Sequence, residues 1–340
     1  MSWAVLSVHA RTTEGLWSAA LADALELEAV RPEALSPDAT LAFCLDEPSL
    51  ARATQAGVAR RIAVIPTFRR PFDSAAATEI LVAHDTLRDA LPARQKERAH
   101  VVGAIAPLGW APRDARNEAQ ESASVAPPAI LVPSSMIAEH GATAILLQLS
   151  LVSGDPTVLF DIGLDVEAAE ALRRMAPGHG IEGYLFARTD DASAYWGLAD
   201  IVVTRAHDNE AALAVAVGAG LVLTDDTPGA DALEVSGVAT RAIVSTLAVS
   251  IDEALGRRDV AQQAALDLDS AGTIARIIEI AKRAESRAPA LPRGLPEGLE
   301  PLAKEAPKPQ DDRPPDATPE GDDDFEARIE DELAALKKRL

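Results

Sequence analysis

The chain has 340 residues, 48% of them apolar and only 4% aromatic, and a formal net charge of −21. That length holds two ordinary domains and a tail, and the apolar share suffices for a sizeable core. The negative charge argues against nucleic acid, because phosphate contacts need a basic surface, and against docking on an anionic membrane; it reads as a solubility charge. The single cysteine, Cys44, lies in the apolar run Leu41-Ala42-Phe43-Cys44-Leu45. It builds neither a disulfide framework nor a zinc site and reads as a buried structural thiol. No apolar run reaches the roughly 18 residues of a membrane span, and no basic-then-apolar leader opens the chain, so the cytoplasm is the expected compartment.

In chain order, Trp3 to Val8 reads as a strand and Leu16 to Leu27 as an Ala/Leu-rich helix. Short strands follow at Thr40 to Leu45, Ile62 to Ile65, Ile80 to Ala83 and His100 to Ile105, with helices between them at Ser49 to Gln55 and Thr86 to Leu91. Such alternation predicts a parallel α/β lobe over residues 1–110. Residues 111–128 turn polar and read as an interdomain linker. A second alternating series occupies 129–285. Its strands are expected at Ala129 to Val132, Thr157 to Asp161, Gly183 to Ala187, Ile201 to Thr204, Leu221 to Thr224 and Arg241 to Val244. Helices are expected at Ala138 to Ser150, Val166 to Met175, Ala192 to Leu198 and Asn209 to Val217, with Thr273 to Glu285 closing the series.

Beyond Ser286 nine prolines fall between Pro289 and Pro319, among Glu, Asp, Lys and Gly. A segment of that composition buries too little apolar surface to offset its ordering entropy, so 286–321 is expected to be a disordered acidic linker. Residues 322–340 then recover a helical period. Phe325, Ile329, Leu333, Leu336 and Leu340 fall at spacings of four, four, three and four, which places them on one stripe. Asp322 to Asp324 suit the start of that helix and Lys337 to Arg339 its end. A helix this short is marginal alone in water, so the stripe reads as a docking element for a protein partner or for self-association.

The second series carries a family resemblance. Tyr195-Trp196-Gly197-Leu198-Ala199-Asp200-Ile201-Val202-Val203-Thr204-Arg205 resembles the "Y-x-x-A-D-hydrophobic-V-V-x-R" pattern of the GT-B glycosyltransferases that include the peptidoglycan lipid II N-acetylglucosaminyltransferase and the monogalactosyldiacylglycerol synthases. Gly183-Tyr184-Leu185-Phe186 is similar to that family's "v-x-G-F" strand. Val217 to Gly220 falls where it has "x-G-x-P", and Thr227-Pro228-Gly229 where it has "P-G-Q". In the first series Thr12 to Leu25 resembles the opening "G-x-G-H-x-x-A-A-x-A-L", and Ile80 through Pro107 the stretch that closes the acceptor domain. The resemblance implies an α/β fold of two Rossmann-like lobes facing a cleft, the first lobe shortened, with a UDP-sugar as the ligand class.

The residues that such chemistry needs are mostly replaced. Glycines must approach the donor diphosphate, a carboxylate must accept the ribose hydroxyls, and a base must take the acceptor proton. The "G-x-G-H" loop falls on Thr13-Glu14-Gly15-Leu16, so only Gly15 remains and the histidine is a leucine. The Gly-rich turn of the second lobe falls on Pro133-Ser134-Ser135-Met136. The donor motif "G-G-x-T-x-x-E" falls on His207-Asp208-Asn209-Glu210-Ala211-Ala212-Leu213, which puts Leu213 at the ribose-binding Glu. Gly15, Ser134, Ser135, Asp208, Asn209 and Glu210 are the positions left to hold a nucleotide-sugar, with Asp208 or Glu210 supplying the carboxylate if the helix starts in a different register. Otherwise Asp208 or Asn209 serves as the helix cap. His207 is the one histidine placed to act as a catalytic base. No metal-ligand spacing occurs, and neither a metal nor a cofactor is expected. The pair Asp225-Asp226 reads as a solvated turn, or else as a metal- or sugar-holding pair at a strand end.

Two functions follow. One is a divergent GT-B protein with a degenerate catalytic site that acts as a binding or scaffold module through its C-terminal helix. The other is an active UDP-sugar-dependent hexosyltransferase or N-acetylglucosaminyltransferase with a rebuilt donor site.

Overall fold

The computed structural model describes residues 2–8, 16–69, 71–107, 110, 116–162, 166–181, 183–186, 192–206 and 209–286. The chain divides into one compact unit, Met1–Pro289, and a second, Ala290–Leu340, and the second lies outside the described residues. So do the linker and the apolar stripe Phe325, Ile329, Leu333, Leu336 and Leu340 expected there.

Two separate parallel sheets organise the first unit. In the first lobe β1 (Trp3–Leu6), β2 (Ala29–Val30), β3 (Leu41–Cys44), β4 (Arg60–Ile65), β5 (Glu79–Val82) and β6 (Ala99–Val101) lie in the order β2-β1-β3-β4-β5-β6. In the second lobe β7 (Ala129–Pro133), β8 (Thr157–Asp161), β9 (Tyr184–Phe186), β10 (Ile201–Thr204), β11 (Gly220–Leu223) and β12 (Ala239–Arg241) lie in the order β12-β11-β10-β7-β8-β9. Read from β9, that is the 3-2-1-4-5-6 order of the doubly wound nucleotide-binding folds, with its reversal between β7 and β10. The reversal in the first lobe falls between β1 and β3.

The helices are α1 (Leu16–Ala24), α2 (Glu47–Gln55), α3 (Asp85–Asp89), α4 (Ala93–Lys96), α5 (Arg116–Ser122), α6 (Ser134–His140), α7 (Ala142–Leu149), α8 (Val166–Met175), α9 (Ala192–Trp196), α10 (Asn209–Val217), α11 (Pro228–Val235), α12 (Leu247–Leu255), α13 (Arg258–Leu266) and α14 (Ser270–Ser286). Both faces of each sheet are covered, which explains why the strands read as unbroken Val/Ile/Leu/Ala runs instead of alternating. β3, with Leu41, Ala42, Phe43 and Cys44, is wholly buried. Burial, reinforced by nearby Asp46, pushes the Cys44 thiol up to about 12, so it is an inert core residue.

The helix expected from Ala138 to Ser150 is broken in two at Gly141, whose φ of 80° ends α6 and starts α7. The last strand lies at Ala239–Arg241, ahead of the expected Arg241 to Val244. The polar linker is not bare chain, because it carries α5. Gln120 donates to the Leu198 carbonyl at 2.8 Å and to the Asp200 carboxylate at 3.1 Å, while Arg116 donates to the Val217 carbonyl at 2.8 Å. Asp200 also accepts the Ala129 amide at 2.8 Å, so one buried carboxylate ties α5 and the start of β7 to the start of β10. Arg116 and Gln120 belong to this buried network, while Asn117, Glu118 and Glu121 of the same helix are exposed.

The closing helix α14 leaves the second lobe and packs on the first. Thr273 and Arg276 donate to the Val102 carbonyl at 3.0 and 2.8 Å, and the Ser270 hydroxyl accepts the Ala106 amide at 2.9 Å. Ile277 and Ala281 complete the first-lobe core with Val5, Trp17, Phe43 and Ile62. Gly103, with φ 102°, has no room for a Cβ, which would come within 2.5 Å of the Thr273 hydroxyl.

Replacing Asp200 by Ala strands the Ala129 amide and leaves Arg116 buried without its counter-charge. The unfolding free energy is expected to fall by about 3 kcal/mol in urea titrations. A loss below about 1 kcal/mol would show that the network does not hold the second lobe together.

Candidate functional site

Ligands of open α/β sheets sit beyond the carboxyl ends of the strands, where the strand order reverses. In the second lobe that point lies between Pro133 of β7 and Thr204 of β10, and a carboxylate of the protein fills it. Glu210, in the first turn of α10, accepts the Ser135 hydroxyl at 2.8 Å and the Thr204 hydroxyl at 3.0 Å. β7 runs into α6 with no intervening loop, since Pro133 ends the strand and Ser134 begins the helix. Glu210 therefore brings a negative charge to the first turn of α6, where a diphosphate would otherwise meet helix amides.

The candidate residues thus separate. Ser135 and Glu210 come together, and Ser134 stands exposed beside them. Asn209, half-buried, lines a different cavity in the first lobe. Gly15, His207 and Asp208 lie outside the described residues.

The paired acids have separate duties. Asp225 accepts the Ala206 amide at 2.7 Å and the Thr227 hydroxyl at 3.1 Å, and Thr227 in turn caps α11 by accepting the Ala230 amide. Asp226 pairs with Arg241, which also reaches Asp231 and Glu234. Among the described residues no group of three or more His, Cys, Asp or Glu side chains is placed to hold a metal ion. No helix among them is long and apolar enough to cross a membrane.

The position that carries a ribose-binding Glu in the resembled family is spent on packing. Ala212 belongs to the buried cluster of the first lobe, and Leu213 packs against the clusters of both lobes. Leu16 and Phe68 of the first lobe pack in turn against the second-lobe cluster. Beside this seam, α11 abuts the first lobe directly. The Thr86 hydroxyl donates to the Pro228 carbonyl at 3.1 Å, and a Cβ on Gly229 would collide with the Phe68 carbonyl and lie 3.3 Å from its Cβ. Pro228-Gly229, which in sequence matches part of a donor motif, here forms an interlobe contact.

The motif that carries the resemblance is likewise structural. Tyr195 is buried, its phenol pushed up by desolvation and hydrogen-bonded to the Phe160 carbonyl at 3.5 Å. Trp196 donates its indole N–H to Asp161 at 2.6 Å and meets Trp110 edge-on at 5.9 Å between ring centres.

The first lobe holds a cavity of about 180 Å³ at its own reversal point. Its base is Ser7 after β1 and Leu45-Asp46 after β3. Asp46 is fixed there because it accepts the Val8 amide and caps α2 by accepting the Ser49 amide, both at 2.9 Å. Pro66, Thr67, Arg69 and Phe72 form one wall, and Trp17 with Asn209 of the second lobe close another side. The Trp17 indole donates to the Ile105 carbonyl at 2.9 Å, and the Ile105 amide donates to the Pro66 carbonyl at 3.1 Å, so the two walls are joined. Sequence reasoning missed this cavity because its lining comes from five separated chain segments. Its one local signal was the helix-capping Asp46-Glu47-Pro48 directly after a strand.

No protein-family model matches the sequence, and no curated protein matches it. Solved structures do match the fold. HepE from Anabaena, in complex with UDP and glucose, aligns with a TM-score of 0.60 at 12% identity, over 83% of this chain and 100% of that one. Sucrose-phosphate synthase from Thermosynechococcus elongatus aligns with a TM-score of 0.60 at 11% identity, over 83% of this chain and 98% of that one. MurG from Acinetobacter baumannii aligns with a TM-score of 0.50 at 16% identity, over 79% and 78%. At these identities the likeness is one of architecture: the chain has the GT-B glycosyltransferase fold that its sequence pattern led us to expect.

Proposed function

We propose that this protein is a GT-B-fold binding module that has given up the diphosphate side of the cleft. The observation that carries the reading is the carboxylate of Glu210, held by Ser135 and Thr204 at the reversal point of the second lobe. A diphosphate there would meet a fixed like charge, and displacing Glu210 would break two charge-assisted hydrogen bonds. Leu213 offers a ribose no acceptor, and its partial burial in the seam contributes roughly 1 kcal/mol that an opened donor site would forfeit.

The ligand-binding role passes to the first-lobe cavity. Its volume of about 180 Å³ lies below the roughly 300 Å³ at which drug-sized sites begin, so it suits a small molecule. Apolar walls at Trp17 and Phe72, with Asp46, Thr67, Arg69 and Asn209 as polar partners, match a hydroxylated ring of monosaccharide size. The C-terminal stripe from Phe325 to Leu340 serves as the docking element for a partner helix groove or a second copy of the chain.

The second reading is a UDP-sugar-dependent transferase with a rebuilt donor site. It draws on HepE, solved with UDP-glucose and with UDP and glucose, and on Glu210 as a carboxylate at the second-lobe reversal point.

Calorimetry with UDP, UDP-glucose and UDP-N-acetylglucosamine separates the two. The binding-module reading expects no saturable heat up to about 1 mM ligand, and a Kd below about 10 μM for any of them would overturn it. For the tail, Ile329→Asp combined with Leu333→Asp is expected to abolish concentration-dependent association in sedimentation velocity. Association unchanged by the double substitution would remove the stripe from the interaction.

A further inference from the structure

The first-lobe cavity is not built by the first lobe alone. One wall, made by Pro66, Thr67, Arg69 and Phe72, flanks a residue that seats on the second lobe: the Phe68 carbonyl and Cβ lie against Gly229 so closely that no other residue type fits there. The Thr67 hydroxyl accepts the Arg69 amide at 3.3 Å, so the turn that presents Thr67 and Arg69 to the cavity is the same turn that carries Phe68 to Gly229. The Thr86–Pro228 hydrogen bond joins the lobes at the residue preceding Gly229, and Asn209 closes the cavity from the second lobe. A shift of α11 against the first lobe therefore moves the wall.

We infer that Gly229 is a positioning residue for the first-lobe cavity, so that the cavity's shape, and with it ligand capture, is set by contact between the lobes. The inference rests on the cavity being the ligand site. The absent side chain is what matters. A Cβ at this position pushes the Phe68 carbonyl away, and because Pro66 is tied to Ile105 the displacement falls on Thr67 and Arg69. With the lobes apart, the Thr67 and Arg69 groups lose their fixed places. With the lobes seated, the cavity is formed before a ligand arrives, which lowers the ordering cost of binding.

Hydrogen–deuterium exchange on the ligand-free full chain tests the coupling without needing a ligand. Gly229→Ala is expected to speed exchange across residues 65–72 by at least about ten-fold, with the β8 amides unchanged. Gly178→Ala, in the same lobe with open space around it, is expected to leave both regions unchanged. Should Gly229→Ala fail to fold, Thr86→Val removes the hydroxyl that bonds the Pro228 carbonyl across the lobes and the His84 ring within the first lobe, and is expected to give about three-fold faster exchange over the same residues. Exchange at 65–72 within about two-fold of wild type in a folded Gly229→Ala protein, or in Thr86→Val if only that variant folds, would overturn the inference. A parallel titration with glucose and N-acetylglucosamine keeps the cavity's ligand class separate. Faster exchange without sugar binding upholds the coupling and rejects the sugar, whereas sugar binding that Gly229→Ala leaves unaltered rejects the coupling.

Discussion

The apolar seam between the lobes is the constraint on which the rest of this structure depends. α10 leaves the reversal point of the second lobe and places Ala212 in the first-lobe cluster and Leu213 against both clusters. From the other side Leu16 and Phe68 pack onto the second-lobe cluster. Once α10 is committed to this packing, its first turn is fixed too, and Glu210 is delivered to Ser135 and Thr204. The same helix start delivers Asn209 to the first-lobe cavity. Leu213, at the position where the resembled family carries a carboxylate, is thereby part of the interlobe packing. Gly229 against Phe68, and α14 crossing to Val102, fasten the lobes at two further places.

The fold was largely legible because parallel strands buried on both faces leave plain apolar runs, and because the Tyr195 to Arg205 pattern encodes packing. Tyr195, Trp196 and Asp200 are all buried, and each bonds to a distant part of the second lobe. Their spacing is set by packing, since the strand and its neighbours need them whatever the cleft does. The absence of glycine at Pro133 to Met136 was equally legible, and the structure gives its consequence, a strand that enters a helix without a phosphate-accommodating turn.

The candidate site was legible only in part, for a reason of sequence separation. Nothing local to Glu210 shows that a hydroxyl 75 residues away holds its carboxylate. Nothing local to Pro228-Gly229 distinguishes a donor-binding turn from a surface that must lie flush against Phe68. Arg116 and Gln120 read as linker residues because their buried partners, Val217 and Asp200, follow 101 and 80 residues later. Fold-level likeness carries the architecture and leaves the chemistry to these particular contacts.

The central claim is that the protein's own carboxylate and its interlobe core occupy the place of a donor nucleotide. A crystal structure grown with UDP-glucose in large excess tests it most directly. The account predicts Glu210 still bonded to Ser135 and Thr204, Leu213 still within the seam, and no nucleotide between β7 and β10. Nucleotide density at that point, with Glu210 turned toward a ribose and the lobes parted at Leu213, would contradict it.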